Sequence, residues 1–324
     1  VELYRAWQQD HADGSTALVG HTGMGKSTLL AQLESHLGEP VLRHAVPTKL
    51  ARPARVVSFL SELFGFSPKP SSEKELIRMI RKDPHKVVAL DNCHNFFLRQ
   101  VGGFEGWDTF LRVVNETCDQ TFWYLAFNEP AWDFLENVSG RLITFRRVVR
   151  MRPWSERQIR RLIMRRMHRA LYRTSFSDLV VAQVKEVDFT NELGRTSKGY
   201  FRVLWDYTGG NPLLACHFWL DSLVPHREHR LVQVHLFTEP DIARLEALDD
   251  DILFTLTAIP EHETLTPAQV SRVTNLPLDL CSFACRYCLE GGLLARHQES
   301  GRLRLSLRWQ ETVIRYLKRK YLLH

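Results

Sequence analysis

The stretch "GHTGMGKS" has the residue types and spacing to hold a chain of phosphates. Gly20, His21, Thr22, Gly23, Met24, Gly25, Lys26 and Ser27 fit G-x-x-x-x-G-K-[ST] at every position, and Thr28 follows. Glycines let the backbone curl so that successive N–H groups face one anion. A helix starting at Lys26 would turn its positive end toward the same anion. Lys26 would reach the β- and γ-phosphates, and the Ser27 hydroxyl would ligate Mg²⁺. A second element is "VVALDN", which ends an apolar run on Asp91. A carboxylate at the end of a buried strand is costly unless it has a task, and holding the Mg²⁺ shell is the natural one. A third is "FWYLAFNEP", which puts Asn128 after another apolar run, where an amide could orient water.

These residues need elements to position them. Apolar runs at 15–20, 40–47, 86–91 and 121–128, with another inside 141–151, read as strands. Helices are expected at 2–9, 26–37, 52–65 and 71–83, the second with Leu29, Leu30, Leu33 and Leu37 on one face. Strands alternating with helices, and apolar along their whole length, imply an α/β fold with a parallel sheet sandwiched by helices. This unit is expected to span 1–150. A helix over 152–173, capped near Ser155, opens a helical lid assigned to 151–235. Its apolar stripe is Ile159, Leu162, Ile163 and Met167. Arg157, Arg160, Arg161, Arg165, Arg166 and Arg169 fill the rest of its surface. Helices at 239–259, 267–274 and 278–290, then "GGLLARH" and "RLRLSLR", predict a winged-helix domain over 236–324. A last amphipathic helix follows.

The chain has 324 residues, 44% hydrophobic and 25% charged, which suits a soluble protein of two or three domains. No apolar run is long enough for a membrane span, and the opening residues do not read as a signal peptide. The six cysteines form no secreted disulfide framework, so a cytoplasmic setting is expected. The chain begins at Val1, which suggests a piece of a longer protein. Net charge is +6 with a sequence pI near 9.1, compatible with acidic partners without requiring them.

Together, in this order, the three motifs resemble the AAA+ ATPases and the related STAND signalling NTPases, with an origin-recognition-like core, lid and winged helix. The resemblance implies ATP and Mg²⁺ as ligands, Gly20–Thr28 as Walker A, Asp91 as the Walker B aspartate and Asn128 as sensor 1. "TGGNP" resembles the lid motif whose proline, here Pro212, approaches the nucleotide, and Asn211 would cap the helix that follows. Arg141 stands where such families carry an arginine finger reaching a neighbouring subunit, with Arg146 and Arg147 as competitors, so a homo-oligomer is implied. One departure matters. The residue after Asp91 is Asn92 rather than glutamate, and an amide does not take a proton from water at useful strength. Unless Glu129 or His94 compensates, hydrolysis should be slow.

The expected function is that of an ATP-binding, slowly hydrolysing switch or assembly platform, with an unknown protein partner or flanking domain. The alternative is an ATP-dependent DNA-binding protein of the origin-recognition or transposition type, using the winged helix with Arg296, Arg302, Arg304 and Arg308. "CSFACRYC" offers a further reading, since its spacing resembles the cluster loop of radical-SAM enzymes. Yet Cys281, Cys285 and Cys288 share one face of a helix, and the chain remaining after them is too short to close a barrel. They read as core residues, with Leu278 and Leu289 extending the stripe.

Overall fold

The computed structural model describes residues 2–10, 13–83, 85–139, 145–180, 186–225, 230–298 and 300–323. In chain order, α1 (Glu2–Asp10) leads to β1 (Ser15–Gly20), the glycine loop, α2 (Lys26–Ala31) and α3 (Leu33–Leu37). Then come β2 (Val41–Ala45), α4 (Pro53–Phe64), α5 (Glu73–Arg81), β3 (Lys86–Asp91), α6 (Glu105–Thr117), β4 (Thr121–Asn128), α7 (Glu129–Ser139) and β5 (Arg147–Arg150). The five strands form one parallel sheet in the order β2-β3-β4-β1-β5. The expected α/β sandwich is what forms. β1 and β4 lie inside the sheet and are buried along their length, whereas the edge strand β5 is exposed and carries an arginine at each end. Such charged, short edges resist pairing with another chain.

Two apolar layers cover the sheet. On one face Leu60, Phe96, Trp107, Phe110, Trp123 and Phe127 pack together. On the other, Trp7 and Tyr4 of α1 pack with Leu18, Leu30, Leu33 and Phe122. The single helix expected over 26–37 is two helices meeting at Gln32, and Leu29 is exposed rather than part of the stripe.

α8 (Glu156–Arg169), β6 (Arg173–Ser175), α9 (Glu186–Thr208), α10 (Pro212–Asp221), β7 (Leu223–Pro225), β8 (Leu231–Val234) and α11 (Ala243–Glu246) follow. Ser155 caps α8 in a capping box with Gln158. The helix stops at Arg169, short of the expected 173, because Arg173–Ser175 pairs with β8. With β7 these strands make a three-stranded sheet inside what sequence had as a helical lid. Propensity does not announce three-residue strands, which only pairing creates. Ile159, Ile163 and Met167 are buried as expected, and the α8 arginines are exposed.

Next are α12 (Asp250–His262), α13 (Pro267–Thr274) and α14 (Leu278–Glu290), an antiparallel pair β9 (Leu294–Arg296) and β10 (Leu303–Leu305), and α15 (Leu307–Arg319). Leu265 bridges to Leu303 beside that pair. Cys281, Cys285 and Cys288 are buried on one face of α14, and burial pushes the Cys288 thiol up to about 12. Leu278 is exposed instead of extending that stripe.

The chain divides into two compact units. One comprises residues 1–151, 249–305 and 320–324, so α12, α13, α14, β9 and β10 belong with the parallel sheet. The other comprises 152–248 and 306–319, which places α15 with α8, α9 and α10 rather than with the three helices before it. Among the described residues no helix is long and apolar enough to cross a membrane.

Candidate functional site

Parallel strands deliver their carboxyl ends to one edge of a sheet, and ligands collect there. Here that edge carries the motifs. Gly20 ends β1 and stands in register with Asn128 at the end of β4. Asp91 ends β3, the next strand over, so it lies about 10 Å across the sheet from the loop.

The loop between β1 and α2 bends as the sequence implies. Gly23 has φ 92 and Gly25 φ 99, left-handed conformations that favour glycine. At Gly25 a Cβ would meet nothing within 4 Å, so the glycine is there for its backbone and not for space. Lys26 opens α2 and is 8% exposed; its Nζ donates to the carbonyls of Gly20 at 2.6 Å and His21 at 3.0 Å. Burial pushes its amine down, while the Glu263, Asp91 and Glu129 carboxylates hold it up, Glu263 most strongly. Met24 is buried, and Ser27 and Thr28 are exposed at the start of the helix. His21 pairs with Glu129 at 3.1 Å.

Asp91 accepts from the Asn92 backbone N–H at 2.9 Å, and Asn92 turns the chain at φ 57. Asn128 is 4% exposed; its Nδ2 donates to the Pro260 carbonyl at 2.9 Å, and the Thr22 hydroxyl lies 3.4 Å from its Oδ1. The Asn128 backbone N–H donates to His94 Nδ1 at 3.5 Å, which leaves His94 Nε2 to carry the proton. Nε2 faces a Glu263 carboxylate oxygen at 3.2 Å. Burial lowers the pKa of His94, and the contact with Glu263 opposes this.

Glu263 is the residue that sequence reasoning missed. Its other oxygen accepts from the Thr22 hydroxyl at 3.0 Å, inside the glycine loop. Burial alone would raise its pKa, but His94, Lys26 and Thr22 together hold it well below the usual carboxylate range. No motif marks it, because its neighbours come from a segment more than a hundred and sixty positions away. The only local sign is a pair of acids, Glu261 and Glu263, around His262 at the end of a helix.

A buried ionic layer lies behind these groups. Lys49 donates to the carbonyls of His262 at 3.0 Å and His94 at 3.3 Å, and burial pushes its amine far down. Arg302 reaches the Thr48 hydroxyl, so this arginine of the expected wing is turned to the core rather than left for phosphates. Arg99 pairs with Glu261 at 3.0 Å. Burial raises Glu261 to about 7, with Arg99 opposing. A carboxyl with a raised folded pKa stabilises fully below its unfolded value near 4.5 and loses that contribution as pH rises through about 7. At about 1.4 kcal/mol per unit the loss amounts to roughly 3 kcal/mol. Glu261→Gln should therefore gain roughly 2 kcal/mol on the parent between pH 5.5 and 8. Urea midpoints at both pH values check this, and a parent–variant difference that ignores pH would contradict it.

Of the remaining candidates, Arg141 lies outside the described residues. Arg146 donates to Ser15 and Asp13, at the amino end of β1 and hence at the edge opposite the glycine loop. Arg150 pairs with Asp133 at 2.9 Å, Glu136 at 2.8 Å and Glu129 at 3.4 Å. Pro212 belongs to the second unit, where Asn211 caps α10 by accepting from the Leu213 and Leu214 N–H groups.

No family model matches the chain, and no curated protein matches it. Among solved structures it is similar to the ORC2 protein of Aeropyrum pernix in ADPNP–ADP complexes: 13% identity, 99% of this chain and 91% of that one covered, TM-score 0.48. It is similar to Cdc6p from Pyrobaculum aerophilum at 15% identity, with 99% and 92% covered and a TM-score of 0.40. It is also similar to the RuvB Holliday junction branch migration motor of Thermotoga maritima, at 14% identity, with 98% and 92% covered and a TM-score of 0.35.

Proposed function

We propose that this chain binds ATP with Mg²⁺ at the glycine loop, hydrolyses it slowly, and works as a nucleotide-dependent switch of the AAA+/STAND kind. The observation that carries the reading is the strand–loop–helix unit itself. Gly23 and Gly25 hold the left-handed turns, Lys26 sits buried at the start of a helix, and Asn128 and Asp91 end strands at the same edge of the sheet. In this reading the loop N–H groups and Lys26 bind the phosphates. The Ser27 hydroxyl and Asp91 carboxylate are hard oxygen donors that suit Mg²⁺. The ion would neutralise phosphate charge.

Slow hydrolysis is supported by what surrounds Asn92. Its amide orients water without taking a proton. Neither compensating group is free for that work: both ring nitrogens of His94 have partners, and Glu129 is paired with His21 and Arg150. The segment α12–α14 with β9 and β10 has the element order of a winged helix, which we read as regulatory. Base readout from α14 is poorly supported, since its exposed residues include Leu278, Asp279, Phe283, Tyr287 and Glu290, with Arg286 the basic exception.

Calorimetric titration with Mg–ATP and Mg–ADP, followed by phosphate release, tests the reading. Binding is expected with a turnover on the order of 0.01 s⁻¹ or slower, the scale of NTPases without outside help. No binding of either nucleotide would overturn the reading. Turnover near the ~10 s⁻¹ of ordinary enzymes would overturn the slow switch.

A further inference from the structure

We infer that Glu263 stands in the place of the third phosphate, so that this arrangement of the chain takes a nucleoside diphosphate in preference to a triphosphate. The inference rests on the nucleotide-binding reading above.

The backbone at Glu263 is unusual. Its φ is 61° and ψ −48°, and the Thr264 N–H donates to the His262 carbonyl at 2.7 Å across it. That is a γ-turn of the positive-φ form, rare and strained for a residue with a side chain. Such a turn persists only where its surroundings hold it. Here the holding groups are Thr22 Oγ1 at 3.0 Å and His94 Nε2 at 3.2 Å, one on each carboxylate oxygen.

Those partners locate the carboxylate. Thr22 is the third residue of the glycine loop, and its hydroxyl also lies 3.4 Å from the Asn128 amide oxygen. His94 follows Asp91 by three residues. Glu263 therefore lies among the ends of β1, β3 and β4, where the nucleotide reading above would put the far end of a phosphate chain. It is also the carboxylate that acts most strongly on Lys26, ahead of Asp91 and Glu129. The loop is built for anions: glycine-shaped backbone, a helix N-terminus and a buried lysine. Glu263 supplies an anion from the chain itself.

A diphosphate engages the loop N–H groups and Lys26 without bringing charge to the carboxylate. A triphosphate brings further negative charge to the same place, and two anions at contact distance repel strongly in a half-buried site. Either the triphosphate binds weakly or it expels Glu263. Expulsion would break the contacts to Thr22 and His94 and free the strained turn that joins α12 to α13. The carboxylate thus sets which nucleotide the loop accepts, and a triphosphate that does bind must move the end of α12.

Titration of the whole chain with Mg–ADP and with the Mg complex of β,γ-imido-ATP tests this on the parent, Glu263→Gln and Glu263→Asp. The parent should bind ADP at least tenfold more tightly than the triphosphate analogue. Glu263→Gln should bring the two within about threefold, through tighter triphosphate binding with ADP changed less than twofold. Glu263→Asp keeps the charge but withdraws it by one methylene, and should fall between; it carries the test if the Gln variant does not fold. An unchanged ADP-to-triphosphate ratio in the variants overturns the inference. So does slower hydrolysis at saturating ATP with that ratio unchanged, which would make Glu263 a base toward water. A parent that binds neither nucleotide overturns the nucleotide reading itself, and this inference with it.

Discussion

Lys26→Ala should lower the affinity for Mg–ATP at least a hundredfold while leaving the chain folded. A hundredfold corresponds to about 2.7 kcal/mol. The size follows from where the amine sits. Lys26 is 8% exposed, and its Nζ is held by two loop carbonyls at 2.6 and 3.0 Å. An amine already desolvated and pointed into the loop binds phosphate without further ordering, and charge-assisted hydrogen bonds are about twice as strong as neutral ones. Removing it also takes away a positive charge that acts on the Glu263 carboxylate, so the loop becomes more negative toward phosphate. Lys26→Arg should not rescue binding, because a planar guanidinium does not fit the contacts of a compact ammonium. Titration of both variants with Mg–ATP, beside thermal unfolding to confirm folding, decides the matter. An Ala variant that binds like the parent would remove the glycine loop from the site.

Gly106→Ala should cost about 3 kcal/mol of stability or more, at the upper end for overpacking. Gly106 lies in the first turn of α6, and its N–H donates to the Ala51 carbonyl at 3.0 Å. A Cβ there would stand 2.0 Å from the Leu50 carbonyl oxygen and 2.8 Å from the Ala51 carbonyl carbon. Both are backbone atoms and do not turn aside as a flexible side chain would. Leu50 is itself tied to the Asn95 carbonyl at 2.7 Å, so a shift there spreads toward Lys49 and His94. Gly199 provides the contrast. It lies within α9, a Cβ would meet nothing within 4 Å, and Gly199→Ala should be neutral or stabilise by up to about 1 kcal/mol through helix propensity. Denaturant midpoints for the two variants should move in opposite directions or, for Gly199, not at all. A Gly106→Ala chain as stable as the parent would contradict the 2.0 Å approach of that Cβ to the Leu50 carbonyl oxygen.

Much of the site can be read from residue order, for a local reason. A phosphate loop is one continuous segment whose glycines, lysine and hydroxyl act within eight positions, and Asp91 and Asn128 each end an apolar run that must be a strand. A buried strand needs no knowledge of its neighbours to be recognised, so the parallel sheet was legible too. Elements that depend on pairing were not. The short strands Arg173–Ser175 and Leu223–Pro225 exist because Leu231–Val234 lies between them, and α8 ends early for the same reason. Leu29 shows the limit of periodicity: the break at Gln32 leaves it facing solvent although its spacing fits the stripe.

By itself, then, the sequence determined an anion-binding loop on an α/β sheet and the absence of a glutamate beside Asp91. Only the tertiary structure decided what that loop faces. Glu263 reaches Thr22 across 241 positions. No spacing rule covers such a distance, because the contact depends on how α12 packs and on a strained turn at its end. The same packing turns Arg302 toward Thr48 and buries Glu261 against Arg99. Charges that look like solvated surface in the sequence become, through burial, the groups that set the electrostatics around the phosphate loop.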